Sequence, residues 1–256
     1  VQSPKPTTIC RILVIFCCLP LLVRGQSQNQ FQKSSDEGKT VKRKGQNLVA
    51  YDDRFLHYGF FLAVNKSQFR TSTSPYFRNP QPPPNFDTLK VINTVPSIGF
   101  TTGFILNVRL FEYLDFRLLP TVSFYQRYIE FENQSGVRNV ELKQSTFSFI
   151  ELPMMIKFKS QRRNNSRMYL IGGIKPAVEV GSKKKEIQND RLRSNVFDFN
   201  IEYGCGFDLY YPLFKFSPEI RFSHGLVNLK ASDPNEYARS ISTMLTHTVT
   251  FYFNFE

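Results

Sequence analysis

The chain has 256 residues with 26 Phe and 12 Tyr but no Trp, and its net charge is +12. No interior linker separates two cores, so the length fits one large domain. The basic balance raises nucleic acid as a partner, but the charges neither cluster on a helix nor interleave with stacking aromatics, which argues against it.

Lys5 and Arg11 precede the apolar run Ile12 to Val23, and small Gly25 follows, so residues 1–25 read as a secretory signal peptide. The run is too short to span a bilayer, and no other segment approaches the roughly 20 apolar residues a transmembrane helix needs. Membrane residence must then be as a β-barrel or a peripheral attachment. A lipidated Cys17 is disfavoured by bulky Phe16 before it. Cys10, Cys17 and Cys18 leave with the signal, and Cys205 remains alone, which excludes an intramolecular disulfide and a Cys-based metal site. Residues 26–53 are polar, rich in Gln, Ser and Lys, and predict a flexible periplasmic extension. The remaining stretch, 54–256, predicts the barrel.

Eight alternating segments follow, at 54–66, 97–110, 116–131, 145–159, 168–180, 197–211, 213–228 and 243–256. A period of two is the mark of a strand with one apolar face. Phe197, Phe199, Ile201, Tyr203, Cys205 and Phe207 oppose Asp198, Asn200, Glu202, Gly204, Gly206 and Asp208; Phe214, Phe216, Ile220 and Phe222 oppose Lys215, Ser217, Glu219 and Arg221. In the last segment Leu245, Val249, Phe251, Phe253 and Phe255 alternate with Thr246, Thr248, Thr250, Tyr252 and Asn254, as expected where a barrel closes on its first strand. Connections after the odd-numbered segments are long, and the first of them holds Pro80-Gln81-Pro82-Pro83-Pro84; those after the even-numbered ones are short. The pattern predicts an all-β fold: an eight-stranded antiparallel transmembrane barrel of the bacterial outer membrane, with short periplasmic turns and longer extracellular loops. A soluble lipocalin-like barrel would invert the faces, but long strands and a polar face carrying glycines and charges of both signs favour the membrane.

Parity places Arg109, Arg117, Arg127, Lys157, Lys175 and Arg221 in the lumen, facing Glu151, Glu179, Asp198, Glu202, Asp208 and Glu219. Six cations against six anions fit an ion-paired structural plug better than an ion path, because eight strands leave an interior that side chains fill. The expectation is little or no conductance. A lipid-modifying enzyme would need a nucleophile beside a base. Ser223 and His224 point to opposite faces, and His224 and His247 take the lipid-facing parity, so no catalytic residue is assigned. Neither a phosphate loop nor a metal motif is present; no cofactor or nucleic acid is expected, and no small-molecule substrate is identified. The basic turn from Gln161 to Arg167 would lie on the periplasmic side, where Arg162, Arg163 and Arg167 offer a contact for an acidic partner.

Several stretches resemble the PorT (SprT) family: Tyr51-Asp52, Leu56-His57-Tyr58-Gly59-Phe60, the run from Glu151 through Lys157-Phe158-Lys159 to Gly173, and Tyr211-Pro212-Leu213-Phe214-Lys215-Phe216-Ser217-Pro218-Glu219. The resemblance spans residues 51 to 256. It implies a non-enzymatic outer-membrane component of the type IX secretion system of Bacteroidetes, required for cargo export and, where it occurs, gliding motility. Its implied partners are outer-membrane lipid and other type IX components. A small porin or ligand-binding barrel is the alternative, and a lipid-modifying barrel enzyme a more distant one.

Overall fold

The computed structural model describes residues 47–49, 51–78, 89–133, 138–140, 148–180, 195–230 and 236–256. The signal peptide, residues 26–46 of the extension and the Pro80–Pro84 stretch lie outside the described residues.

Thirteen strands are present among the described residues: β1 (Leu56–Thr73), β2 (Leu89–Val95), β3 (Ser97–Arg109), β4 (Leu114–Leu118), β5 (Thr121–Phe124), β6 (Tyr128–Asn133), β7 (Arg138–Val140), β8 (Ser148–Glu151), β9 (Met154–Lys159), β10 (Ser166–Glu179), β11 (Phe197–Tyr210), β12 (Lys215–Gly225) and β13 (Ile241–Phe255). Two short helices, α1 (Pro75–Arg78) and α2 (Glu236–Ser240), lie beside them in the chain.

β4 and β5 are one strand interrupted at Pro120, and β8 and β9 one strand interrupted at Pro153. Proline has no N–H to give a ladder, so the regular pairing stops there. The backbone still connects across both breaks, with Phe104 N–H donating to the Pro120 carbonyl (3.1 Å), Leu119 N–H to Pro153 (3.0 Å) and Leu152 N–H to Pro176 (3.0 Å). Counted this way, eight antiparallel strands form a ring. β1 pairs with β3, β3 with β4 and β5, these with β9 and β8, then β10, β11, β12 and β13 follow, and β13 pairs back onto β1 from Phe60↔Phe255 to Thr73↔Ile241. Every strand of the ring therefore has two neighbours and no free edge.

Burial alternates with the same period. On β12, Lys215, Ser217, Glu219, Arg221 and Ser223 are buried, while Phe216, Pro218, Ile220 and Phe222 face out. On the outside, Tyr58, Phe104, Ile150, Phe158, Phe251 and Phe253 are exposed. An apolar girdle of that extent is stable only against lipid.

Besides the breaks at Pro120 and Pro153, three features depart from the sequence expectations. The expected third segment, 116–131, leaves the ring after Phe124, and its last residues belong to β6. β1 runs seven residues past the expected end at 66, because Ser67 and Phe69 continue inward while Lys66, Gln68 and Arg70 point out. The hydropathy alternation is lost where the outer face leaves the apolar girdle, although the backbone pairing continues. The long connection expected at 67–96 also contains β2, which pairs with β6 in a separate three-stranded sheet completed by β7.

The two ends of the interior differ. At the long-loop end Phe69, Ile129, Phe131, Leu229, Ala238, Ile241 and Met244 form an apolar cluster, with Phe77 and Ile92 against it. Toward the short-turn end the interior is charged.

Candidate functional site in the barrel interior

Starting from the short turns, Asp208 of β11 accepts bonds from Lys157 Nζ (2.8 Å), Arg167 (3.0 Å) and Ser217 Oγ (2.8 Å). Lys157 and Asp208 are wholly buried. Lys159 pairs with Asp115 (2.5 Å), whose other oxygen accepts from Asn107 (3.0 Å). Glu256 takes Arg117 (2.6 Å) and Lys215 (2.8 Å). Burying a charge without a partner costs several kcal/mol, so pairing on this scale is what lets strands carry charges inward at all.

The segment before β1 completes this end. Asp52 accepts from Arg167 (3.1 Å) and from the Tyr210 hydroxyl (3.0 Å), and lies 3.7 Å from Arg162. Tyr51 donates to Glu256 (3.3 Å), and its carbonyl bonds the His57 ring (2.6 Å). Asn47 N–H donates to Asn165 Oδ1 (2.8 Å), and the Asn47 amide donates to the Tyr210 carbonyl (3.0 Å). Arg109 donates to the Asp52 carbonyl (2.6 Å). Burial opposes ionisation of Asp52, but Arg167, the Tyr210 hydroxyl, Lys215 and Lys159 outweigh it and hold its pKa below the usual carboxylate value. Glu256 is lowered in the same way, with Arg117, Lys215 and Lys157 overcoming burial.

Further along, Glu219 accepts from Tyr169 (2.7 Å), contacts Arg221 and lies 3.5 Å from Arg117. Gly206 makes this possible: a Cβ there would come within 2.5 Å of the Tyr169 ring, which lies between the register partners Tyr169↔Gly206↔Glu219. Arg127 bonds Ser67 (2.7 Å) and Tyr125 (3.2 Å) and sits over the Tyr125 ring at 4.8 Å. Lys175 lies 3.5 Å from Glu151, which accepts from Tyr125 (2.8 Å). Arg127–Asp198 and Arg221–Glu202 are both 3.9 Å apart.

Of the twelve charges assigned to the lumen by parity, ten are buried. Arg109 and Glu179 are half-buried at the two ends of the interior. The three turn arginines separate. Arg167 is buried against Asp208 and Asp52, Arg162 bonds the carbonyls of Asn47 and Leu48 and stacks 3.6 Å over Tyr210, and Arg163 is exposed. The segment expected as a flexible extension is likewise engaged, at Asn47, Leu48, Tyr51 and Asp52. Asp115, Lys159, Lys215 and Glu256 lie outside the twelve assigned charges, although each keeps the polar parity of its strand. Asp52 gave no such signal, because it precedes the first strand.

Chemically, this interior holds charge without presenting it. Its carboxylates are engaged by cations or hydroxyls, and among the described residues no group of three or more His, Cys, Asp or Glu is placed to hold a metal ion.

A closed antiparallel ring with an apolar outside and a charged inside defines an outer-membrane β-barrel. Residues 26–231 match the family described as Outer membrane protein beta-barrel domain, and the chain belongs to that family. It is a protein of the outer membrane. Among curated proteins no sequence matches it. Similar solved structures are Neisserial surface protein A (NspA; 10% identity, 78% of this chain and 98% of that one, TM-score 0.38) and OprG of Pseudomonas aeruginosa (8%, 77% and 94%, TM-score 0.38). The N-terminal β-barrel domain of Pseudomonas aeruginosa OprF is a third (9%, 77% and 99%, TM-score 0.28).

Proposed function

We propose that this protein is a non-enzymatic outer-membrane barrel that works through protein contacts, as a component of type IX protein secretion. The observation that carries a contact role over a transport role is the interior, where Arg117, Lys157, Arg221, Glu202 and Asp208 are inaccessible to solvent and residues 51–53 bond across the short-turn end. A barrel filled in this way acts through its wall, turns and loops. Exposed Arg163, beside Asn164 with its positive φ of 51°, is the turn position available to an acidic partner. Support for the type IX assignment is the resemblance of residues 51–256 to the PorT family, strongest from Glu151 to Gly173 and Tyr211 to Glu219.

A small porin is the second reading, since Arg127–Asp198 and Arg221–Glu202 stand 3.9 Å apart and the middle of the lumen is less tightly paired than its short-turn end. Removal of the gene, with secreted and periplasmic proteins compared, tests the first reading, and planar-bilayer recording of the purified chain tests the second. Cargo held in the periplasm with a silent bilayer supports the secretion role. Normal secretion with steady channel openings overturns it in favour of the porin.

A further inference from the structure

Among the described residues, the outer wall carries a concave polar feature beside the small sheet. On β1, β13 and β12, the outward residues toward the short turns are apolar, and Val64, Phe251 and Ile220 form the row in register at mid-strand. Toward the long loops the next outward row is Lys66, Val249 and Phe222, and the one after it is Gln68, His247 and His224. The apolar girdle therefore ends, in this sector, on a row containing two imidazoles. Arg70, one outward position further along β1, is exposed and makes no ion pair among the described residues. These side chains, with Asn93 and Thr94 of β2, line a cleft of about 440 Å³ between the ring and the small sheet.

Among the described residues the lining contains Arg, two His, Gln, Asn and Thr beside Phe69 and Ile92, and no carboxylate. Glu130 and Glu132 line a separate groove beyond Asn93. The two imidazoles meet Nδ1 to Nδ1 at 3.0 Å, and His224 Nε2 meets the Tyr203 hydroxyl at 3.0 Å. This relay has two directions. If Tyr203 donates to His224 Nε2, then His224 Nδ1–H donates to His247 Nδ1, and the remaining His247 nitrogen, Nε2, carries a proton. An acceptor anion in the cleft selects that direction and receives a donor from His247 beside the guanidinium of Arg70.

We propose that this cleft, with Arg70 and His247 as its principal donors, is a binding site for a phosphate group at the edge of the lipid-facing girdle. Arg presents a planar fork of donors matched to phosphate oxygens. A position where apolar wall gives way to polar wall is where lipid headgroups lie. The phosphate of an anionic lipid and free phosphate share the recognised chemistry, and the experiment separates them. The inference needs the outer-membrane location alone and stands apart from the secretion role.

The test uses the full chain in phosphatidylcholine nanodiscs, with the imidazole resonances of His224 and His247 followed by NMR. Inorganic phosphate is added in one arm, a fraction of phosphatidic acid replaces phosphatidylcholine in a second, and zinc ion is added in a third. Saturable shifts of both imidazoles are expected with phosphatidic acid. Arg70→Gln should weaken them roughly tenfold or more, as loss of a charge-assisted bond implies, and Arg70→Lys should restore part of the affinity. Shifts with the lipid alone assign a membrane headgroup, and shifts with both probes assign phosphate from either source. Absence of saturation with both phosphate probes overturns the proposal, as do equal affinities in wild type and Arg70→Gln, or saturation by zinc alone. Heat-dependent gel mobility confirms folding of each variant, and His247→Gln serves as the second variant, with the same loss expected.

Discussion

The two ends of the barrel interior are closed by opposite chemistries. At the short-turn end every carboxylate oxygen of Asp52, Asp115, Asp208 and Glu256 accepts at least one hydrogen bond. At the long-loop end an apolar cluster from β1, β6, β13 and α2 does the closing. Between them, Asp198 Oδ1, Glu202 Oε2 and both terminal nitrogens of Arg221 have no hydrogen-bond partner among the described residues. The lesson concerns cooperativity. Apolar packing degrades gradually as methylenes are removed, whereas a saturated ionic cluster fails as a unit, because each lost partner strands another charge.

The largest effect should therefore come from the ionic end. Asp208→Ala leaves Lys157 and Arg167 facing each other in a buried site and should cost about 3–5 kcal/mol, measured as the unfolding midpoint by circular dichroism in detergent micelles. Met244→Ala, at the centre of the apolar end, should cost about 2–5 kcal/mol. A double variant tests whether the ends are independent, since distant sites add within about 0.5 kcal/mol. Strong coupling between the two would mean that the interior is one unit, and the comparison would fail.

Much of this architecture was legible in the sequence, and the reason is geometric. Strand side chains alternate strictly, so Lys157 inward and Phe158 outward follow from period two once one face is assigned. The rule stops where its premises stop. It missed the breaks at Pro120 and Pro153, because burial parity runs unbroken through both prolines while their missing N–H groups interrupt only the ladder. It ended β1 too early because Lys66, Gln68 and Arg70 leave the girdle, so the outer face ceases to be apolar. It gave no account of Asp52, since a residue ahead of the first strand has no parity to read. The exchange of bonds between Asp52, Arg167 and Tyr210 joins positions far apart in sequence, and only the closed ring brings them together.

A smaller change sharpens the contrast by acting on the segment before β1 alone. Asp52→Asn keeps the shape but removes the charge facing Arg167 and Arg162, and should cost roughly 1–3 kcal/mol. Its signature should be local: faster amide exchange over residues 51–53 and little change at Ile129 or Met244. Uniform exchange throughout the barrel would show that this segment is not a separable closure.

Acid probes the same contrast without mutation. Asp52 and Glu256 both have folded pKa values depressed below their unfolded ones. A depressed carboxylate contributes stability that is fully present above its unfolded pKa, about 3.9 for Asp and 4.3 for Glu. That contribution is lost as pH falls through the folded value. The ionic end should hold its strength at neutral pH, begin to weaken below about pH 4, and release residues 51–53 to exchange before the apolar cluster responds, since that cluster contains no titrating group. Amide exchange compared at neutral and acid pH measures the order. Simultaneous loss at both ends would contradict independent closures, and a segment equally protected at both pH values would remove Asp52 and Glu256 from the closure altogether. The effect should also be nearly insensitive to salt, because Glu256 and its partners Arg117 and Lys215 are buried, where screening by solvent ions is weak.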